Sequence, residues 1–218
     1  MGPRLASEGY CVYSLTYGKV FDEAPIGGVT SMEDSSKELA VFVDKVLNST
    51  GASKVNLLGH CEGSIMPRYY LKFLGGAAKV DKYAALAPVG SGTTMSGIVI
   101  LAKAFNIYDA VHNTVYPGCS SCTEILINST FIQNLNADGE TVPGVKYLFV
   151  ATKYDLVITP PSNGFLHDNS PNVINHWLQD WCSVAVNGHS DITLSPVAFA
   201  GVNAFFDSHA PQSISCTS

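Results

Sequence analysis

The chain has 218 residues, of which 46% are hydrophobic and only 14% are charged, a balance typical of a folded protein rather than a disordered one. Its net charge of −6 and its lack of Lys/Arg clusters argue against a nucleic-acid partner. No apolar run reaches the ~18–20 residues that span a bilayer, so the composition leaves a soluble, mildly acidic enzyme or binding domain.

The first half of the chain predicts two strands and two helices. Residues 10–18 (YCVYSLTYG) are rich in aromatic and β-branched side chains, which predicts a buried strand. In residues 31–51, Leu39, Val43 and Val46 recur at helical spacing, and Gly51 stands where a helix would stop. Residues 54–59 predict a second buried strand and residues 67–74 a second helix.

The second half continues the alternation of strands and helices. Strands are predicted over residues 82–90, 145–155 and 172–180, and a closing helix over 195–207 with Ser195 as its N-cap. Residues 91–140 are irregular, and we interpret them as a cap-like insertion. The alternation predicts a mostly parallel sheet flanked by helices, within a single α/β domain that covers residues 1–218.

The sequence Gly59-His60-Cys61-Glu62-Gly63 stands between the second strand and the second helix. This is the pattern of a nucleophile elbow, a turn so tight that it needs glycine on either side of the nucleophile. Cys61 would lie at a helix N-terminus, where the helix dipole favours a thiolate. The competing interpretation is a buried, unreactive cysteine at the end of a strand.

Two further residues follow in the order nucleophile, acid, histidine, which is the order of a triad on this kind of fold. Asp155 follows a predicted strand, at the carboxyl edge where ligands collect in open α/β sheets. His189 lies in the loop before the last helix. Each residue alone is compatible with an ordinary surface position. No other histidine both follows Asp155 in the sequence and lies in the loop before the last helix. The histidines set aside for this reason are His60, His112, His167, His176 and His209.

Residues 51–94, with the run MPRYY followed by LKFLGGA, resemble the secreted class 2 lipases, or EstA/EstB-type esterases, of actinomycetes and fungi. The segments TVPGVKYLFVATKYDLVITP and NVINHWLQDWCSVAVNGHSDITLSPVAF resemble the parts of that family that carry the acid and the histidine, on Asp155 and His189. The resemblance implies an α/β-hydrolase fold and hydrolysis of a small-molecule ester or lipid, with contact at a lipid interface. We expect a monomer that needs no metal and no cofactor.

Two features depart from the family pattern. Cys61 stands where the family has serine, and the chain shows neither the family's first strand nor its HG-containing loop, which supplies one oxyanion donor. We therefore expect an N-terminally truncated domain whose remaining oxyanion donor is the backbone N–H of Glu62.

Two alternatives stay open. The chain resembles the Cys-His-Asp dienelactone hydrolases at its GxCxG elbow, and a catalytically inactive homologue would bind esters or lipids without turnover. The apolar residues 98–105 would line an acyl pocket or form an ordinary core helix, and the core helix is the better interpretation.

Six cysteines and two N-glycosylation sequons fit an oxidising, extracellular location, although the chain carries no visible signal segment. Setting Cys61 aside leaves five cysteines, and we expect Cys11 to lack its partner. The other four allow three pairings. We favour Cys119–Cys122, which is local, and Cys182–Cys216, which flanks the closing helix.

Overall fold

A computed structural model describes residues 1–97 and 118–217 of the protein. Within these ranges the helices are α1 (Gly2–Ser7), α2 (Met32–Thr50), α3 (Met66–Phe73), α4 (Ser120–Glu124), α5 (Thr130–Asn136), α6 (Leu178–Trp181) and α7 (Pro196–Phe206). The strands are β1 (Val55–His60), β2 (Val80–Leu86), β3 (Lys146–Ala151) and β4 (Val173–Trp177). No helix in the described ranges is both long and apolar enough to cross a membrane.

The four strands form one parallel sheet in the order β1-β2-β3-β4. Because all four strands run in the same direction, their carboxyl ends meet at a single edge of the sheet. The segments that follow β1 and β3 therefore emerge at the same edge, with β2 between them. The predicted mostly parallel sheet is confirmed.

Both faces of the sheet are covered, and side chains alternate between them along each strand. Tyr83 and Phe149 point into a core shared with α2, α3 and α5. Their neighbours Ala84 and Leu148 point into a second core, shared with α1, α6 and α7. Such burial on both faces explains why residues 83–86 of β2 and 147–151 of β3 are continuous apolar runs.

Helix α2 begins and ends where the sequence predicts. The Ser31 hydroxyl accepts a hydrogen bond from the Asp34 backbone N–H at 3.1 Å, which caps the first turn. Gly51 ends the helix in the left-handed conformation at φ 72°, which glycine adopts without a steric penalty. The apolar stripe of Leu39, Val43 and Val46 is buried against the core.

The predicted buried strand over residues 10–18 is wrong. This segment pairs with no strand in the described part of the chain, and Val12 and Tyr13 are exposed. Leu15 and Tyr17 pack partly against the first core, and Tyr10 packs partly against the second. Aromatic and β-branched content indicates that side chains fit a pleated surface, but a strand also needs a neighbour to pair with.

The remaining strand predictions are confirmed with shifted ends. Strand β2 begins and ends earlier than residues 82–90, and β4 stops at Trp177, where the chain turns into α6. Residues 98–105 lie outside the described residues, as does much of the predicted insertion 91–140.

Both predicted disulfides are present. Cys119 pairs with Cys122 at the start of α4, and Cys182 pairs with Cys216 across α7. Cys11 and Cys61 are free thiols, and Cys11 is exposed.

Candidate active site

The turn after β1 has the geometry of a nucleophile elbow. Strand β1 ends at His60, and Cys61 opens a short 3-10 helix, Cys61–Ser64. Cys61 has φ 54°, a left-handed conformation that non-glycine residues seldom adopt. Such strained positions concentrate at functional sites. The turn places Cys61 just beyond the carboxyl edge of the sheet.

The two glycines of the elbow are not equivalent. A Cβ atom added at Gly59 would lie 1.7 Å from the carbonyl oxygen of Gly63, so the turn closes only if residue 59 is glycine. A Cβ atom added at Gly63 would meet nothing closer than the Tyr17 hydroxyl, at 3.8 Å. The prediction that the turn needs both glycines is therefore right for Gly59 and wrong for Gly63.

Asp155 follows β3 at the same edge of the sheet and is almost fully buried. Its Oδ1 accepts hydrogen bonds from the backbone N–H groups of Val157 and Ile158, at 2.9 and 2.8 Å. Nδ1 of His189 lies 2.8 Å from Oδ2 and 3.0 Å from Oδ1 of the same carboxylate. A carboxylate accepts only, so Nδ1 carries a proton and Nε2 is the nitrogen available to exchange one.

The surroundings of His189 favour its protonated form. Burial alone would lower its pKa, but interactions with the Asp155 carboxylate and with the Cys61 sulfur outweigh burial and raise the pKa to about 9. Cys61, His189 and Asp155 thus interact as one group at the carboxyl edge of the sheet.

The side chain of Glu62 is partly buried next to the elbow. Burial raises its pKa to about 7, and hydrogen bonding with Ser121 and Tyr17 offsets part of that rise. Its Oε1 is buried with no hydrogen-bond partner within the described ranges. The carboxyl oxygens would lie 3.3 and 3.4 Å from a Cβ atom added at Gly28, so the carboxyl group fills the space that this glycine leaves open.

One histidine that the sequence analysis set aside belongs to this site. His60 places Nε2 2.7 Å from the backbone oxygen of His189, and the two rings are 4.9 Å apart. His176 instead stacks on Trp181, and His167 and His209 are exposed. His112 lies outside the described residues. Only the position of His60 next to Cys61 in the sequence pointed to the site.

Large apolar side chains are exposed on the loops that carry Asp155 and His189. Tyr154 and Leu156 flank Asp155 and are 50% and 76% exposed. Three further exposed side chains surround His189 in sequence: Val184, Val186 and Leu194. The two loops are joined, because the Thr152 hydroxyl donates to the backbone oxygen of Asn187 at 2.6 Å. We call these five side chains the apolar rim.

No group of three or more His, Cys, Asp or Glu side chains within residues 1–97 and 118–217 is arranged to hold a metal ion. The side chains and backbone at the site supply several reactive groups. They provide a thiol, an imidazole, a carboxylate and the N–H groups of the first helical turn, which have no acceptor within that turn.

Comparison with known proteins identifies the family and the fold of the chain. Residues 3–199 match the family described as Lipase (class 2). The fold is similar to that of lipase B from Aspergillus fumigatus, with a TM-score of 0.67 and 21% identity over 87% of this chain and 45% of that chain. It is also similar to a mature-form lipase from Bacillus licheniformis, with a TM-score of 0.53 and 15% identity over 70% of this chain and 69% of that one.

An esterase from Rhodococcus sp. ECU1013 is similar over 95% of this chain and 85% of its own, with a TM-score of 0.51 and 17% identity. At these identities the structures establish a shared fold, the α/β-hydrolase fold. The chain spans less than half the length of the Aspergillus lipase.

Proposed function

The chain belongs to the class 2 lipase family, and on that premise we propose that it hydrolyses carboxylic esters with Cys61 as nucleophile, His189 as base and Asp155 as orienting acid. One observation carries the proposal. The His189 imidazole bonds to a buried carboxylate through Nδ1 and interacts with a cysteine held at φ 54° in an elbow. The order of the three residues along the chain is the order found on this fold.

The first half of the reaction forms a thioester. The proton of the Cys61 thiol moves to Nε2 of His189, which gives the protonated imidazole that the site favours. The sulfur then bonds to the ester carbonyl carbon as the π electrons move to oxygen. The backbone N–H of Glu62 donates to this oxyanion. The carbon–oxygen bond then breaks, and the departing alkoxide takes the proton from His189. Asp155 keeps the imidazole oriented and stabilises its positive charge.

The second half releases the acid. His189 takes a proton from water, and the resulting hydroxide bonds to the thioester carbonyl carbon. The carbon–sulfur bond breaks, and the Cys61 sulfur regains a proton from His189. The products are one alcohol and one carboxylic acid, and the protein returns to its starting state.

The apolar rim supports an ester with an apolar acyl chain as substrate. Exposed apolar side chains around a site mark contact with an apolar partner. We propose that the rim receives the acyl chain of a small-molecule ester or lipid, and that it touches a lipid interface when the substrate is aggregated. Neither role requires a cofactor.

The disulfides support an extracellular location, because such bonds persist in oxidising compartments. We propose that the protein acts there as a monomer, built as one α/β-hydrolase domain with residues 91–140 as a cap-like insertion. The described parts of the insertion pack on the domain. Thr93 and Leu126 form a β-bridge, and Arg68 of α3 donates to the side chain of Asn136 at 2.6 Å.

A second candidate function is binding of an ester or lipid without turnover. The observation that favours it is Cys61 itself, since a sulfur in an elbow shaped for serine is larger than the oxygen it replaces. A misplacement of ~1 Å can lower a rate about 10²-fold. The dienelactone hydrolases are less well supported, because the match to the class 2 lipases covers residues 3–199.

Hydrolysis of p-nitrophenyl esters with short and long acyl chains separates the candidates. We expect the native chain to hydrolyse these esters, and the Cys61→Ala and His189→Ala variants to lose the activity while keeping the native melting temperature. Equal rates in the native chain and in both variants would contradict the proposed site. If the native chain binds a long-chain ester but releases no p-nitrophenol, the second candidate function, binding without turnover, is favoured.

A further inference from the structure

The backbone of His189 is fixed by a second histidine. Nε2 of His60 lies 2.7 Å from the His189 carbonyl oxygen, and the rings are 4.9 Å apart with a tilt of 50°. A carbonyl oxygen only accepts hydrogen bonds, so Nε2 of His60 carries the proton. His60 thus donates to the main chain of the same residue whose side chain is held by Asp155.

The pleat of β1 explains why His60 reaches this loop. Leu57 packs against the core below α2 and α3, whereas Leu58 packs against the core below α7. Since side chains two residues apart share a face, His60 lies on the face of Leu58, where the loop before α7 passes.

The other hydrogen bonds of this loop are made by the residues on either side of His189. Thr152 donates to the backbone oxygen of Asn187 at 2.6 Å, and the side chain of Asp191 accepts from the backbone N–H of Gly188 at 2.7 Å. The first bond precedes His189, and the second spans it from Gly188 to Asp191, as does the backbone bond from the Ile192 N–H to the Gly188 oxygen at 3.2 Å. The His60 bond acts on the carbonyl of His189 itself and joins it to the residue next to Cys61.

We infer that His60 is a positioning residue, which holds the His189 backbone through its Nε2–H and so keeps the imidazole aligned with Cys61. This inference rests on the proposed ester hydrolysis. The pKa of His60 is lowered, chiefly by burial, with the charge of His189 adding to the effect and the backbone hydrogen bond opposing it. A neutral ring supplies the donor without adding a second positive charge beside the imidazolium.

Three substitutions of His60 test whether its hydrogen-bond donor or its aromatic ring is the feature that matters. In His60→Gln, the amide nitrogen is as many bonds from Cα as Nε2 of histidine, so the donor is kept. In His60→Asn, the side chain is one bond shorter, so the amide nitrogen does not reach the His189 carbonyl oxygen. His60→Phe keeps an aromatic ring but removes the hydrogen-bond donor. His209→Phe is the control, because that side chain is 93% exposed and far from the site in sequence. Each change is made in the native chain and in Cys61→Ser.

We expect His60→Phe and His60→Asn to lower kcat for p-nitrophenyl butyrate about 10-fold or more, since a small misplacement of a catalytic group has a large effect on rate. KM should stay within about 2-fold. His60→Gln should recover at least about a third of the native kcat. The downfield proton NMR resonance of the His189 Nδ1–H, which needs no turnover, should shift or broaden in the Phe and Asn variants and persist in Gln.

The inference is overturned if His60→Phe and His60→Asn keep the native kcat and the native resonance. It is also overturned if the Gln variant is as impaired as the Phe variant although both fold. Failure of the proposed function looks different. Hydrolysis would then survive Cys61→Ala and His189→Ala, whereas the resonance would still report whether His60 positions His189.

Discussion

Nδ1 of His189 lies 2.8 Å from Oδ2 and 3.0 Å from Oδ1 of Asp155. The carboxylate is itself fixed, since Oδ1 also accepts two backbone N–H groups, from Val157 and Ile158. The histidine therefore meets a carboxylate whose orientation the chain following β3 has already set. Pre-orientation of this kind keeps the proton on Nδ1 and leaves Nε2 for the thiol.

Substituting Asp155 should affect both rate and titration. We expect Asp155→Asn to lower kcat for a p-nitrophenyl ester by about 10²–10⁴-fold, because the imidazolium loses its partner and the proton can move to the wrong nitrogen. The pKa of His189 should fall below about 9, since the carboxylate is a main cause of its rise. An NMR titration of the histidine ring measures this shift. A pKa that stays at about 9 in the variant would contradict the assigned pairing.

The elbow offers a matched pair of glycine substitutions. We expect Gly59→Ala to lower the free energy of unfolding by on the order of 3 kcal/mol, because its Cβ would lie 1.7 Å from a backbone oxygen. Gly63→Ala should change it by less than about 1 kcal/mol, since its Cβ would have 3.8 Å of clearance. Urea unfolding of both variants measures the difference. Equal destabilisation by the two substitutions would show that the turn is not closed as described.

The buried carboxyl group of Glu62 predicts a pH-dependent stability. Its pKa is raised from 4.5 to about 7 in the folded chain, chiefly by burial. Between these two pH values the folded state therefore keeps a proton on Glu62 that the unfolded state has released. This contribution to stability is fully present below pH 4.5 and is lost as the pH rises through about 7. We expect Glu62→Gln to be more stable than the native chain at pH 8, with the difference shrinking as the pH falls toward 4.5.

Urea unfolding at pH 4.5, 6, 7 and 8 tests this expectation, with Glu23→Gln as the control because Glu23 is exposed. A native and a Glu62→Gln chain whose stabilities differ by the same amount at every pH would refute the buried titration. The control should show no dependence of this kind.

The nucleophile itself can be exchanged. We expect Cys61→Ser to hydrolyse p-nitrophenyl esters faster than the native chain, because serine suits the elbow sterically and His189 with Asp155 remains in place to activate it. Initial rates at matched protein concentration measure the effect, with Cys61→Ala as the inactive reference. A serine variant that loses the native activity would indicate a site adapted to a thiolate.

Local signals predicted much of the fold. Ser31 and Gly51 mark the ends of α2 because capping and the left-handed turn depend on nearby residues alone. Pairing is non-local, and for that reason residues 10–18 have the composition of a strand without forming one. Composition cannot show whether a neighbouring strand edge is available.

The candidate site also has features that the sequence predicts and features that depend on non-local contacts. Cys61, Asp155 and His189 could be predicted because their order along the chain and their places after strands are features of the sequence. The contact of His60 with the His189 backbone and the open space beside Gly63 could not be predicted. The His60 contact joins residues 129 positions apart, and the space beside Gly63 depends on where Tyr17 packs.

A covalent intermediate is the direct consequence of nucleophilic catalysis by Cys61, and intact-protein mass spectrometry can detect it. The native chain is mixed with p-nitrophenyl butyrate, quenched in acid during turnover and weighed, and its peptides are then mapped. We predict a single butyryl group, carried by the peptide that contains Cys61 and absent from Cys61→Ala. Release of p-nitrophenol at equal rates by the native chain and Cys61→Ala, with no butyryl adduct on either, would contradict the account.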